Sequence, residues 1–86
     1  MTTNKVKGWK TEITADSITF DRGDWFCVAR FRDVVGLGMG EGDVLYSLGA
    51  MAIVSNFIAS GAPIRKRSAT YNAMIDAITE ATRAAN

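Results

Sequence analysis

Apolar and polar positions alternate along the first part of the chain and then change period. In "GWKTEITAD", Trp9, Thr11 and Ile13 alternate with Lys10, Glu12 and Thr14, the two-residue repeat of a strand with one face on a core. "SITFD" continues it, with Ile18 and Phe20 on one side and Thr19 and Asp21 on the other. The intervening "ADS" and the following "DRGD" have turn chemistry, and Gly23 is available for positive φ. "WFCVARFR" puts Trp25, Cys27, Ala29 and Phe31 on one face and Phe26, Val28, Arg30 and Arg32 on the other. In "VVGLGMGEGD", residues 34–43, period two persists: Val35, Leu37 and Met39 alternate with Gly36, Gly38, Gly40 and Gly42. This predicts a fourth strand. The short connections predict sequential antiparallel pairing, a meander over about residues 8–40.

Beyond Gly42 the spacing becomes helical. Asp43 is a capping candidate, with Glu41 nearby to complement the helix dipole. The run Val44–Ala59 is rich in Leu, Met, Ala and Ile; Gly61 is a stop signal and Pro63 blocks continuation. Ser68 or Thr70 can cap a second helix. Its Tyr71, Met74, Ile75, Ile78 and Ala81 recur at spacings of three and four, while Asn72, Asp76, Thr79, Glu80 and Arg83 take the other side. The helices are expected over about 43–60 and 69–84. The expected fold is α+β: a four-stranded antiparallel meander followed by two helices packed on one face. With no repeat, linker or low-complexity segment, residues 1–86 read as a single domain.

On this reading Val35, Leu37 and Met39 join Trp9, Ile13, Ile18, Phe20, Trp25, Cys27, Ala29 and Phe31 on the core face of the sheet. Gly36 and Gly38 then fall on the opposite, open face, beside Phe26, Val28, Arg30 and Arg32. Strand glycines there either relieve crowding or leave a flat backbone platform for a partner.

A chain of 86 residues buries only about 60–65% of its unfolded surface and is marginal alone. Self-association is therefore one way to complete the core. No residue from Val44 to Ile64 is charged, whereas a surface helix normally carries charge on its solvent face. The first helix is thus expected to be covered on more than one side, by the sheet and the second helix or by a partner, including a second copy in a homodimer. Its apolar segment falls short of the about 20 residues of a membrane span, so no membrane partner is expected.

The formal net charge of +1 exerts no strong pull on nucleic acid or membrane. "MTTNKVKGWK" has no apolar segment of the kind that marks a secretory leader. One cysteine, Cys27, forms no internal disulfide, which fits a cytoplasmic location.

The chemistry is sparse. Histidine, the usual general base and commonest metal ligand, is absent. "GLGMGEG" matches neither the dinucleotide nor the Walker glycine pattern, and Glu41 and Asp43 would repel phosphate from the helix start. Asp16, Asp21, Asp24 and Asp33 fall at turns, where aspartates bond their own backbone. Cys27 sits mid-strand on the core side with no histidine to activate it. No catalytic, cofactor or metal residue is assigned, and the protein is expected to be non-enzymatic.

"RKR" (Arg65, Lys66, Arg67) is the densest charge cluster. It is either a solvated loop or, with Lys10, Arg30 and Arg32, part of a nucleic-acid surface on which Phe26 stacks a base. The near-neutral total counts against the second. The candidate partner-binding set is therefore Phe26, Arg30, Arg32, Gly36, Gly38, Arg65, Lys66 and Arg67.

"GLGMGEGD" leading into an Ala/Leu-rich helix resembles the Gly-rich strand and helix of small antitoxin modules. The order of strands and helix is similar to single-stranded-DNA-binding coactivator folds. In size and type the chain resembles small phage-encoded inhibitors, anti-CRISPR proteins among them, without a shared motif that would carry residue roles across. The resemblance implies a small protein-binding module that blocks a host or defence complex of the CRISPR type. Alternative readings are a sheet-based single-stranded nucleic-acid binder and a homo-oligomeric structural subunit.

Overall fold

Two tight turns set the register of the sheet. In the computed structural model, β2 (Lys10–Ile13) and β3 (Ser17–Asp21) pair antiparallel with Thr11 opposite Phe20 and Ile13 opposite Ile18. The connecting turn is closed by Thr14, whose N–H donates to the Ser17 carbonyl at 2.9 Å and whose Oγ1 accepts from the Ser17 N–H at 3.1 Å. β4 (Phe26–Arg30) pairs with β3, with Phe20 opposite Cys27. Its turn is held by the Gly23 N–H donating to Asp21 Oδ1 at 2.7 Å, and by Arg22, whose Nε donates to Asp24 Oδ1 at 2.7 Å. Arg22 also lies 5.7 Å from the centre of the Trp9 ring, a cation–π contact that ties the turn to the start of β2. The two-residue segment β1 (Thr2–Thr3) adds to the free edge of β2. The structure describes residues 6–86 and the backbone of residues 2 and 3; the reading of the first residues as lacking a leader falls largely outside them.

The chain is α+β, but its fourth predicted strand is a helix. After Arg30 the backbone turns directly into α1 (Phe31–Leu37). Phe31 and Val34 explain the difference: both are buried, and residues three apart share a helix face but lie on opposite faces of a strand. The Phe31 N–H donates to the Asp16 carbonyl at 3.0 Å, docking the helix start on the β2–β3 turn, and Asp33 sits in the first turn, where the helix dipole favours a carboxylate. The Val35–Leu37–Met39 alternation is thus not a strand pattern. All three side chains are exposed rather than in the core, Met39 at 72%. Gly36 and Gly38 consequently do not lie on the sheet: Gly36 is within α1 and Gly38 ends it.

The two long helices stand where expected. α2 spans Asp43–Ala59 and α3 spans Ala69–Ala85. Asp43 is the first helical residue rather than the cap; Gly42 holds that place at φ 63°, after Gly40 at φ 88°, and such angles suit glycine. Ser68 caps α3, its Oγ accepting from the Tyr71 N–H at 3.2 Å. The apolar stripe Tyr71, Met74, Ile75, Ile78 and Ala81 is buried throughout. It packs with Ile18, Phe20, Cys27, Ala29, Val34, Ala50, Ile53 and Val54 in one core beneath the sheet. Trp25, expected in that core, is partly buried at its margin, as is Ile13.

Candidate interaction surface

The helices meet through glycine. A methyl group built at Gly49 in α2 would overlap the Val34 carbonyl of α1, and one at Gly38 would overlap the Leu45 carbonyl and lie 2.9 Å from Leu45 Cγ. Glycine at these two positions lets α1 lie directly against the first half of α2. Around Gly36 there is open space, so the same run of alternating glycines contains one with no packing role. The platform expected from Gly36 and Gly38 therefore dissolves: one glycine is exposed on a helix and the other is spent on a helix–helix contact.

Of the expected partner-binding residues, only Phe26 and Arg30 occupy the open sheet face. Phe26 is 59% exposed, beside exposed Val28. Lys10, Glu12, Thr19, Asp21 and Phe26 surround a hollow of about 50 Å³. This face is mixed in charge, and Lys10 Nζ and Glu12 Oε1 are paired at 3.3 Å. Arg32 belongs to α1 and borders an open groove of about 380 Å³ with Asp16, Phe31, Val35 and the C-terminal Ala85 and Asn86. Arg65, Lys66 and Arg67 are exposed in the α2–α3 connection. The eight residues thus lie on three separate elements, β4, α1 with its cap, and the α2–α3 connection, and form no common site.

A different surface stands out. The outer side of α2 carries Val44, Leu48 and Met51, exposed by 57%, 39% and 40%. Ser55 and Ala59 continue the exposed row toward the C-terminal end. Val44 also meets the preceding loop, since a methyl built at Gly40 would lie 3.3 Å from Val44 Cγ1. Leu37 and Met39, exposed on either side of Gly38, enlarge the apolar area near this end. No charged side chain interrupts the row between Val44 and Ile64. The signal was present in the sequence as a charge-free run. Its outward face was not separable there from its inward face, because both faces of α2 are apolar.

Several acidic residues are engaged in local structure. Asp21 accepts from a turn N–H. Asp24 is hydrogen-bonded by Arg22, which holds its carboxyl below the usual range. Asp43 Oδ1 meets Arg83 Nη1 at 3.1 Å, joining the start of α2 to the end of α3. Among the described residues no cluster of three or more His, Cys, Asp or Glu side chains could hold a metal ion. Cys27 is buried, and burial pushes its thiol up from the ordinary value, away from the thiolate form that nucleophilic chemistry needs. No helix among the described residues is long and apolar enough to cross a membrane.

Comparison with protein-family models, curated proteins and solved structures finds no match to this chain.

Proposed function

We propose that this protein is a non-enzymatic protein-binding module whose working face is the outer side of α2 together with the loop that leads into it. The observation that carries this reading is the exposed, charge-free row Val44, Leu48 and Met51. Water-facing apolar rows of this kind gain free energy when covered. A protein partner with an apolar strip of its own supplies that cover; nucleic acid, a polyanion, does not. The open sheet face serves as the weaker candidate, because Glu12 and Asp21 offset Lys10 and Arg30 there. At the finer level, the small size and the likeness in type to phage-encoded inhibitors support a module that blocks a host or defence complex in the cytoplasm by occupying a surface.

Site-specific photocross-linking tests the assignment. A photoreactive phenylalanine analogue is placed at residue 51 in one preparation and at residue 26 in another, and each is irradiated in a lysate of the native host. The expected result is a protein adduct from position 51, to a host protein or to a second copy of the chain, that persists at high salt, and little or none from position 26. Adducts from position 26 alone, particularly to nucleic acid and lost as salt is raised, would replace this reading with the sheet-face one.

A further inference from the structure

We infer that the outer face of α2 is built to pair with the same face of a second copy, the two helices running antiparallel about a two-fold axis near Met51. The inference rests on the reading of that face as the working surface and names its occupant. Three features of the face agree with it.

The first is size complementarity along the helix. Met51 is the midpoint of Asp43–Ala59. About a two-fold axis at Met51, residues before the midpoint of one copy face residues after it in the other. Val44 then faces half-buried Ile58 and its exposed neighbour Ala59, and Leu48 faces buried Val54 and its exposed neighbour Ser55. Large exposed side chains thus lie in the N-terminal half of the row, and small exposed ones lie in the C-terminal half. Antiparallel pairing sets large against small, the interdigitation that close packing requires. Parallel pairing sets Leu48 on Leu48 and leaves Ser55 facing Ser55.

The second is charge. The row itself is neutral, so nothing repels an identical row. Its ends differ in charge: exposed Glu41 precedes the start of α2, where Asp43 is already paired with Arg83, and exposed Arg65, Lys66 and Arg67 follow its end. The helix is about 25 Å long, so each copy presents an acidic corner and a basic loop about one helix length apart. Antiparallel pairing brings the acidic corner of each copy toward the basic loop of the other. Parallel pairing brings like charges together. Charge at the rim selects orientation more than it adds affinity.

The third is symmetry. A closed two-fold pair uses one patch twice and leaves no apolar edge for further copies. A chain of this size gains core from such pairing.

Sedimentation equilibrium on the full chain tests the inference, with circular dichroism to confirm that each variant is folded. The wild type is expected to be a concentration-dependent dimer. Leu48→Asp, and independently Ser55→Arg, are each expected to weaken association about tenfold or more while the fold is retained. Ser55 is exposed, so Ser55→Arg keeps the test decisive if Leu48→Asp disturbs folding. Met51→Cys is expected to oxidise to a disulfide-linked dimer, because the two thiols meet at the axis, whereas buried Cys27 forms no such link. Glu41→Lys is expected to weaken the dimer and Arg65→Glu in the same chain to restore it. A wild type that remains monomeric, or a dimer indifferent to both Leu48→Asp and Ser55→Arg, overturns the inference. If the monomer nevertheless captures a foreign protein through residue 51, the working-face reading survives and only the second copy is excluded; if the indifferent dimer captures nothing there, both fall.

Discussion

At the scale of single residues, glycines that look equivalent in the sequence differ in consequence. Gly36 lies in α1 with open space around it. Gly36→Ala is expected to stabilise the protein by about 0.5–1 kcal/mol, the difference in helix propensity, read as a shift of the denaturation midpoint. Gly49→Ala forces a methyl onto the Val34 carbonyl and is expected to cost roughly 1–3 kcal/mol or more in the same titration. Gly38→Gln meets the Leu45 carbonyl and is expected to destabilise as well, in contrast to what an open sheet position would show. Equal effects at positions 36 and 49 would place α1 differently against α2. Cys27 gives a pH-dependent counterpart. Its pKa in the folded state is raised by burial, so the folded state favours the protonated thiol. The associated stability is fully present below the unfolded thiol's pKa and is lost as pH rises through the folded one. A thiol reagent at mildly alkaline pH is therefore expected to react with Cys27 only as fast as the chain opens; immediate reaction would show an exposed thiolate.

At the scale of elements, legibility depended on whether one period was unambiguous. α3 has one apolar stripe and a polar back, so its course and the stripe Tyr71, Met74, Ile75, Ile78 and Ala81 were readable, whereas the cap stayed open between Ser68 and Thr70 and buried Ala77 and Thr82 lie outside the stripe. Ser68→Ala removes the hydrogen bond to the Tyr71 N–H and is expected to cost about 1 kcal/mol in thermal or chemical unfolding, the usual value of an N-cap. The three strands β2–β4 were readable because Lys10, Glu12, Asp21, Phe26, Val28 and Arg30 separate cleanly from Ile18, Phe20, Cys27 and Ala29 across the sheet. α1 was not. Its seven residues are too short for a helical period to dominate, and "VVGLGM" satisfies a period of two as well as a period of three to four. What decides between them is tertiary: the buried pair Phe31 and Val34, and room for α1 that glycine at position 49 leaves on α2. The misplaced platform of Gly36 and Gly38 follows from that one element. The interaction face on α2 was half legible, since its lack of charge is plain in the sequence while the direction it faces depends on where α1, α3 and the sheet settle.

At the scale of the whole molecule, the helices cover one face of a small sheet, and the sheet's open face and the outside of α2 both keep exposed apolar side chains. They are not equivalent. Phe20, fully buried beneath the sheet, anchors the fold, and Phe20→Ala is expected to cost about 3–5 kcal/mol. Phe26→Ala on the opposite face is expected to change stability by less than about 1 kcal/mol. Comparable losses in parallel denaturant titrations would show that both sheet faces are covered. Mixed charge dilutes what Phe26 and Val28 can offer a partner, whereas the α2 row is continuous and uncharged, and its end charges suit an antiparallel copy. Amide NMR spectra recorded over a wide dilution series test this assignment most directly. The account predicts that amides along the outer side of α2, those of Val44, Leu48, Met51 and Ser55 foremost, shift with concentration, while those of β2, β3 and β4 stay fixed. Shifts confined to the strands, or the absence of any concentration dependence in α2, would contradict it.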